Sequence, residues 1–356
     1  MYAALGRLVD ELSVLTFSER ERNRSWAAPD VAGYRRVALP GRHIFVRRRD
    51  WALHFNFGIR AALRALAPEA VVIGGYDSPG HWVALSTARR MGVPVVLWNG
   101  SHAASSRSTS RIINALKRAF VRRCDAFFTY GALAADYVEA LGARGDRIVC
   151  GVNAVECERF AAPAGDRDAF RGDKGAAERI VVLYSGQLIE RKGVDDLIRA
   201  MTTVPVRAVL WVVGDGRLRA RYEALARELL PERCVFFGDK PYAELPRIYQ
   251  AADLLVMPSL VEVWGLVVNE ALASGLPVIA SSAAGATADL IDGKGTGLAV
   301  TPGNAAALSS AISKLVTDDL ARAAMGIRAK QLMTTLNTAK YAADMYRAVQ
   351  LALGAR

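Results

Sequence analysis

The chain has 356 residues, 52% hydrophobic and 23% charged, a balance that excludes intrinsic disorder and at this length calls for two domains. No uninterrupted apolar run approaches the roughly 20 residues that span a bilayer, and no basic-then-apolar leader opens the chain, so the expected location is the cytoplasm. The net charge of +11 is uneven: residues 1–160 carry 23 Lys and Arg against 14 Asp and Glu, residues 161–356 carry 23 against 21.

In chain order, a helical stretch over residues 2–10 comes first, where a doubly wound domain would start with a central strand and a glycine-rich turn. Either the chain starts downstream of its natural first strand, which is the favoured reading, or its first domain departs from the usual plan. Strands are then expected at 12–17, 70–74, 94–98, 126–130 and 147–150, with helices at 51–66, 81–91, 108–123 and 132–141. Residues 160–178, rich in Ala, Gly, Asp and Arg, read as a linker. The pattern restarts with strands at 179–185, 208–213, 235–237, 254–257 and 277–280. Alternating strands and helices specify parallel α/β architecture, and two such halves imply a cleft at the carboxyl ends of their sheets. The expected division is residues 1–159 and 179–338, with a helix at 339–356 packing back on the first domain.

Several groups carry chemistry. After the first strand of the second half, Gly186 permits a tight turn, and Arg191 and Lys192 arrive at the next helix start. Two cations beside a helix N-terminus suit a diphosphate and neutralise charge growing on a departing nucleotide. Glu262 lies in a loop after a strand, placed to accept hydroxyls of a sugar. Glu270 lies about one turn into the following helix and can accept both hydroxyls of a ribose. Gly238 and Lys240 close another strand, where backbone could meet a nucleobase edge. In the first half His102 ends a strand and could hydrogen-bond a donor or align an acceptor. Asp77 and His81 sit in the preceding loop, facing either an acceptor hydroxyl or ordinary turn roles.

Other features have plainer readings. Asp166 and Asp168 read as solvated linker charge, so no obligatory metal or cofactor is expected. The four cysteines, Cys124, Cys150, Cys157 and Cys234, lack metal-ligand pairing and read as small buried apolar residues. Within residues 108–123, Ile112, Leu116, Ala119 and Phe120 fall at helical spacing among Arg111, Lys117, Arg118, Arg122 and Arg123. Such a helix either packs on the core with a basic outer face or rests on an anionic membrane. Arg47, Arg48 and Arg49 form a second basic cluster. Base-stacking aromatics do not interleave with the arginines, so a nucleic-acid binder is the remote reading.

Together, Gly186, Arg191-Lys192-Gly193, Gly214-Asp215-Gly216, Phe237-Gly238, Tyr249 through Asp253, Glu262, Gly265-Leu266, Glu270 and Gly275-Leu276-Pro277 resemble the retaining glycosyltransferases of family 4, which have the two-domain GT-B fold. The segment from Asn153 to Phe160 resembles that family's hinge. The resemblance implies a transferase that moves a sugar from a UDP- or GDP-linked donor to a sugar or lipid-linked acceptor, with retention of configuration. It implies that Arg191 and Lys192 bind the diphosphate, that Glu262 and the backbone of Gly265, Leu266 and Val267 hold sugar and phosphate, and that Glu270 binds ribose. Trp264 stands where the family carries phenylalanine, keeping an aromatic wall. The setting implied is surface polysaccharide or glycolipid synthesis at the inner face of the plasma membrane. A nucleotide-sugar epimerase of the same fold is the enzymatic alternative.

Overall fold

The computed structural model describes residues 1–17, 33–46, 51–106 and 110–354. Arg47, Arg48 and Arg49 and the start of the expected 108–123 helix lie outside them. The chain divides into two compact units. The first takes Met1–Tyr130, Ala134–Gly151 and Ala339–Arg356, and the second takes Gly131–Leu133 and Val152–Thr338. Residues 152–159, expected in the first domain, thus belong to the second unit.

The first unit is built on a four-stranded parallel sheet in the order β5 (Val71–Ile73), β6 (Val95–Asn99), β7 (Ala126–Tyr130) and β8 (Ile148–Gly151). Val95, Val96 and Leu97 are all fully buried, as a parallel strand covered on both faces requires. Leu85, Phe120, Phe127 and Val138 fill its core. The C-terminal helix Thr338–Leu353 lays Tyr341 edge-on against Phe128 at 5.0 Å. Before this sheet come a parallel pair, β1 (Ser13–Thr16) with β2 (Arg35–Ala38), and an antiparallel hairpin, β3 (Gly41–Val46) with β4 (Trp51–Asn56). The helix expected over 51–66 is therefore half strand. Trp51, Leu53 and Phe55 alternate with period two, and Gly58, at φ 79°, starts the helix Ile59–Leu66. At the start of the chain, the helix covers Tyr2–Leu5.

The second unit has one six-stranded parallel sheet: β9 (Ile180–Ser185), β10 (Ala208–Val213), β11 (Cys234–Gly238), β12 (Leu254–Met257), β13 (Val278–Ser281) and β14 (Gly297–Val300). Their spatial order is β11-β10-β9-β12-β13-β14. Chain direction across the sheet reverses between β9 and β12, so the loops after these two strands flank the switch point where such folds bind ligands. β10 and β12 are buried at every position. β14 is an edge strand of four residues, too short to stand out in the sequence.

Residues 160–178 do not form a free linker. Asp166 accepts from Asp168 N at 2.9 Å and Ala169 N at 3.1 Å, capping the helix Arg167–Gly172. Arg171 is 5% exposed and lies 3.1 Å from Asp253, whose carboxylate also accepts from Val181 N. Of the cysteines, Cys157 is buried, Cys124 and Cys234 half-buried and Cys150 exposed, so Cys150 departs from the expected burial.

Candidate functional site

The loop after β9 carries Gly186 and ends in the short turn Glu190–Lys192, and it is locked to its neighbours backbone to backbone. Gly214, at φ 123°, leaves no room for a side chain: a Cβ there would lie 2.0 Å from the Gly186 carbonyl oxygen. Gly193, at φ 67°, is pressed just as closely on Pro258 O. Leu260 N then donates to Arg191 O at 2.8 Å. The two switch-point loops are therefore one rigid assembly, and glycine is what lets them meet.

That assembly sets the charges. Lys192 Nζ makes an ion pair with Glu262 Oε2, with the two side chains 17% and 11% exposed. The other Glu262 oxygen accepts from Val263 N at 3.2 Å, and Ser259 Oγ lies 3.5 Å from Oε2. Arg191 Nε is closed off from solvent without a hydrogen bond. Tyr184 lies beneath; burial, reinforced by the charge of Glu262, raises its phenol pKa, and Arg191 opposes the shift. Lys192 therefore has its charge met by Glu262, while Arg191 keeps a buried Nε without a hydrogen-bond partner.

The next helix, Leu266–Ala273, starts from Gly265 at φ 98° without a side-chain cap, so its first amides are available to an acceptor. Leu266 is 39% exposed and Val267 half-buried at that end. Glu270 is buried on the same helix and accepts the Tyr249 hydroxyl at 2.7 Å. Burial pushes its carboxyl up to about 7, against the lowering effect of the Tyr249 hydrogen bond. Tyr249 itself is driven well above the usual phenol range, first by burial and then by the charge of Glu270.

The remaining residues fall out differently. Trp264 is 3% exposed, and its indole donates to Asn269 Oδ1 at 2.8 Å, while Asn269 donates to Asn153 O at 2.7 Å. It is a packed strut for the segment after β8. Gly238, at φ 72°, accepts from Gly214 N through its carbonyl, and Lys240 Nζ lies 3.6 Å from Glu244.

In the first unit, His102 is 2% exposed and caps the turn Ala103–Ser105, its backbone N–H donating to Ser105 Oγ at 2.9 Å. His81 caps the helix Pro79–Met91 through Ser78 and lies 3.4 Å from Asp77, whose side chain is 74% exposed. Both histidines hold local structure. Sequence reasoning gave no role to Tyr249, although it lies in a matched motif, nor to a polar group near these loops. In that group Lys117 Nζ donates to Ser106 Oγ at 2.8 Å and to Tyr137 OH at 2.9 Å. On the same helix, Arg111–Val121, Phe120 is buried, whereas Ile112, Ile113 and Leu116 are 75%, 41% and 52% exposed. The apolar stripe is therefore not core-packed along its length. Among the described residues no helix is long and apolar enough to cross a membrane.

Residues 166–332 match the family model of glycosyl transferases group 1, and residues 1–151 match that of the glycosyl transferase 4-like domain. A D-inositol 3-phosphate glycosyltransferase of Corynebacterium aurimucosum is 42% identical over 156 residues, covering 41% of this chain and 37% of its own. A GDP-mannose-dependent alpha-(1-6)-phosphatidylinositol monomannoside mannosyltransferase of Mycolicibacterium smegmatis is 35% identical over 184 residues, covering 49% and 48%. These matches span less than half the length of either relative. Among solved structures, sucrose-phosphate synthase of Thermosynechococcus elongatus matches with a TM-score of 0.77 at 21% identity, covering 100% of this chain and 92% of that one. Anabaena HepE in complex with UDP matches at 0.71 and 20%, covering 83% and 81%. At such identities the likeness shows the fold, which is GT-B.

Proposed function

From a chain whose two halves place it in the GT-B glycosyltransferases of family 4, we propose an enzyme that moves a sugar from a nucleotide-diphospho sugar to an acceptor hydroxyl with retention of configuration. The observation that carries this reading is the rigid pairing of Lys192 with Glu262 at the switch point, one loop away from an uncapped helix start and the buried Glu270.

The chemistry follows from what each group can do. The guanidinium of Arg191 and the first amides of Leu266–Ala273 would grip the diphosphate. Lys192 would share its charge between Glu262 and the phosphate as negative charge grows there. The bond from the anomeric carbon to the phosphate oxygen breaks, and the bond to the acceptor oxygen forms on the same face. The acceptor proton passes to the departing phosphate, so no enzymic nucleophile is required. Glu262 would accept hydroxyls of the transferred sugar, and Glu270, once ionised, those of the ribose.

The relatives named above act on a phosphorylated inositol and on a phosphatidylinositol mannoside. Together with the exposed Ile112, Ile113 and Leu116 among the arginines of their helix, the lipid-borne substrate of the second relative supports a lipid-linked acceptor in surface polysaccharide or glycolipid synthesis. It also supports a peripheral position on the inner face of the plasma membrane. The test is a thermal-shift panel of UDP, GDP and their sugars, with and without magnesium, followed by transfer to phospholipid and oligosaccharide acceptors. A rise in melting temperature with one nucleotide class and acceptor-dependent release of that nucleotide are expected. Release of nucleotide with an altered free sugar and no acceptor would instead mark an epimerase.

A further inference from the structure

The second unit contains a cavity of about 560 Å³, within the range of small-molecule sites, whose lining includes none of Arg191, Lys192, Glu262 or Glu270, and which borders the expected nucleobase edge only at Phe237 and Lys240. The rings of Phe170 and Phe237 lie 6.3 Å apart at 25° in its wall, and Phe170 meets Trp211 edge-on at 5.8 Å. The Arg247 guanidinium stands 4.6 Å from the centre of the Phe170 ring, and the Lys174 ammonium 6.0 Å from it. Two further cations line the cavity, but each has a carboxylate: Arg159 bonds Glu156 at 2.7 Å and Lys240 faces Glu244 at 3.6 Å. Among the described residues neither Arg247 nor Lys174 stands in an ion pair. Aromatic faces attract cations, and cations so gathered leave an uncompensated positive field over an apolar floor.

We propose that this cavity binds a small organic anion with a flat ring, distinct from the nucleotide donor. The ring would lie against Phe170 and Phe237, and its phosphate, carboxylate or sulfonate would take the free donors of Arg247 and Lys174. The site also reaches the candidate donor residues through packing. Arg159 lies 5.4 Å over Tyr242, and Tyr242 meets Phe160 at 5.6 Å. Phe160 meets Tyr249 at 5.4 Å, and Tyr249 holds Glu270. An occupant would bear on helix Leu245–Ala251, which carries both Arg247 and Tyr249.

The test is a fluorescence titration of the full chain with 8-anilinonaphthalene-1-sulfonate, an aromatic anion, with and without saturating UDP. One site is expected that saturating UDP does not empty, its affinity shifted only modestly through that packing. The double variant Lys174→Ala with Arg247→Ala is expected to weaken it at least tenfold, while its melting temperature and its UDP affinity stay at wild-type values. Displacement of the probe by UDP would overturn the proposal, since the cavity would then be part of the donor site. Equal probe binding by wild type and double variant, or no probe binding at millimolar concentration, would overturn it as well. Failure to bind UDP speaks to the donor reading alone, because the comparison between wild type and variant does not depend on it.

Discussion

Tyr249 donates its hydroxyl to Glu270 at 2.7 Å in the interior of the second unit, so the carboxyl expected to hold a ribose is itself held by a phenol. The pair couples the helix before β12 to the helix after it, and it fixes one carboxylate oxygen while burial raises the group to about 7.

That raised value gives a pH dependence with a definite sign. The folded protein binds a proton at Glu270 more tightly than the unfolded chain, whose group titrates near 4.5. Its stabilising contribution is therefore complete below the unfolded value and is lost as pH rises through about 7. Glu270→Gln removes the titration, so its stability should be flatter than wild type between pH 5 and 8 and higher at the upper end. Thermal melts across that range decide it. UDP affinity of the wild type should improve over the same interval, because the ionised form accepts both ribose hydroxyls, and the Gln variant should lose that trend.

Removing the phenol tests the pair from the other side. Tyr249→Phe deletes the hydrogen bond that lowers the Glu270 pKa, so the pH at which UDP affinity is half-maximal should move upward. The cost in stability is expected at about 1–3 kcal/mol, since the buried carboxyl loses a partner. An unchanged midpoint in a calorimetric titration series would mean that Glu270 does not meet the nucleotide.

Lys192→Ala should leave the fold intact and reduce transfer at least ~100-fold, the scale seen when one preorganised charge donor is removed from a developing anion. Near-normal turnover by that variant would sink the assignment. Glu262 would be left buried without its cation, so circular dichroism and a urea melt should accompany the kinetics.

Gly193→Ala should damage the site through the backbone alone. Its φ of 67° disfavours alanine, and the new Cβ would lie 2.2 Å from Pro258 O, forcing the two switch-point loops apart. A stability loss of about 1–3 kcal/mol is expected in urea titration, together with weaker UDP binding.

The exposed stripe of the helix Arg111–Val121 yields a surface prediction. Ile112→Ser with Leu116→Ser should lower sedimentation with vesicles containing phosphatidylglycerol several-fold while leaving the melting temperature unchanged, because neither side chain is packed. Equal sedimentation of variant and wild type would remove the membrane reading.

The second unit was more legible than the first because its strands are fully buried and read as continuous apolar runs, as at Ala208–Val213 and Leu254–Met257. The β3–β4 hairpin is not legible in the sequence because Trp51–Asn56 runs into a true helix with only a glycine turn between, and short apolar segments do not declare their period. Asp166 and Arg171 look like linker charge in a list of residues. Asp166 becomes a helix cap through amides two and three residues on, whereas Arg171 becomes half of a buried ion pair only once Asp253 is beside it.

By itself, the sequence determined the α/β class, the switch-point motifs and the family, because strand burial, glycine turns and motif spacing are properties of neighbouring residues. The tertiary structure decided which charges are spent and which are free. It pairs Lys192 with Glu262 and leaves Arg191 Nε buried without a partner, buries Trp264 as a strut, and turns His102 and His81 into caps. It also seats Glu270 against Tyr249 and gathers Lys174 and Arg247 around Phe170. Apart from the two local histidine caps, these depend on groups from separate segments meeting within a few ångströms, and burial and electrostatic coupling exist only after that meeting.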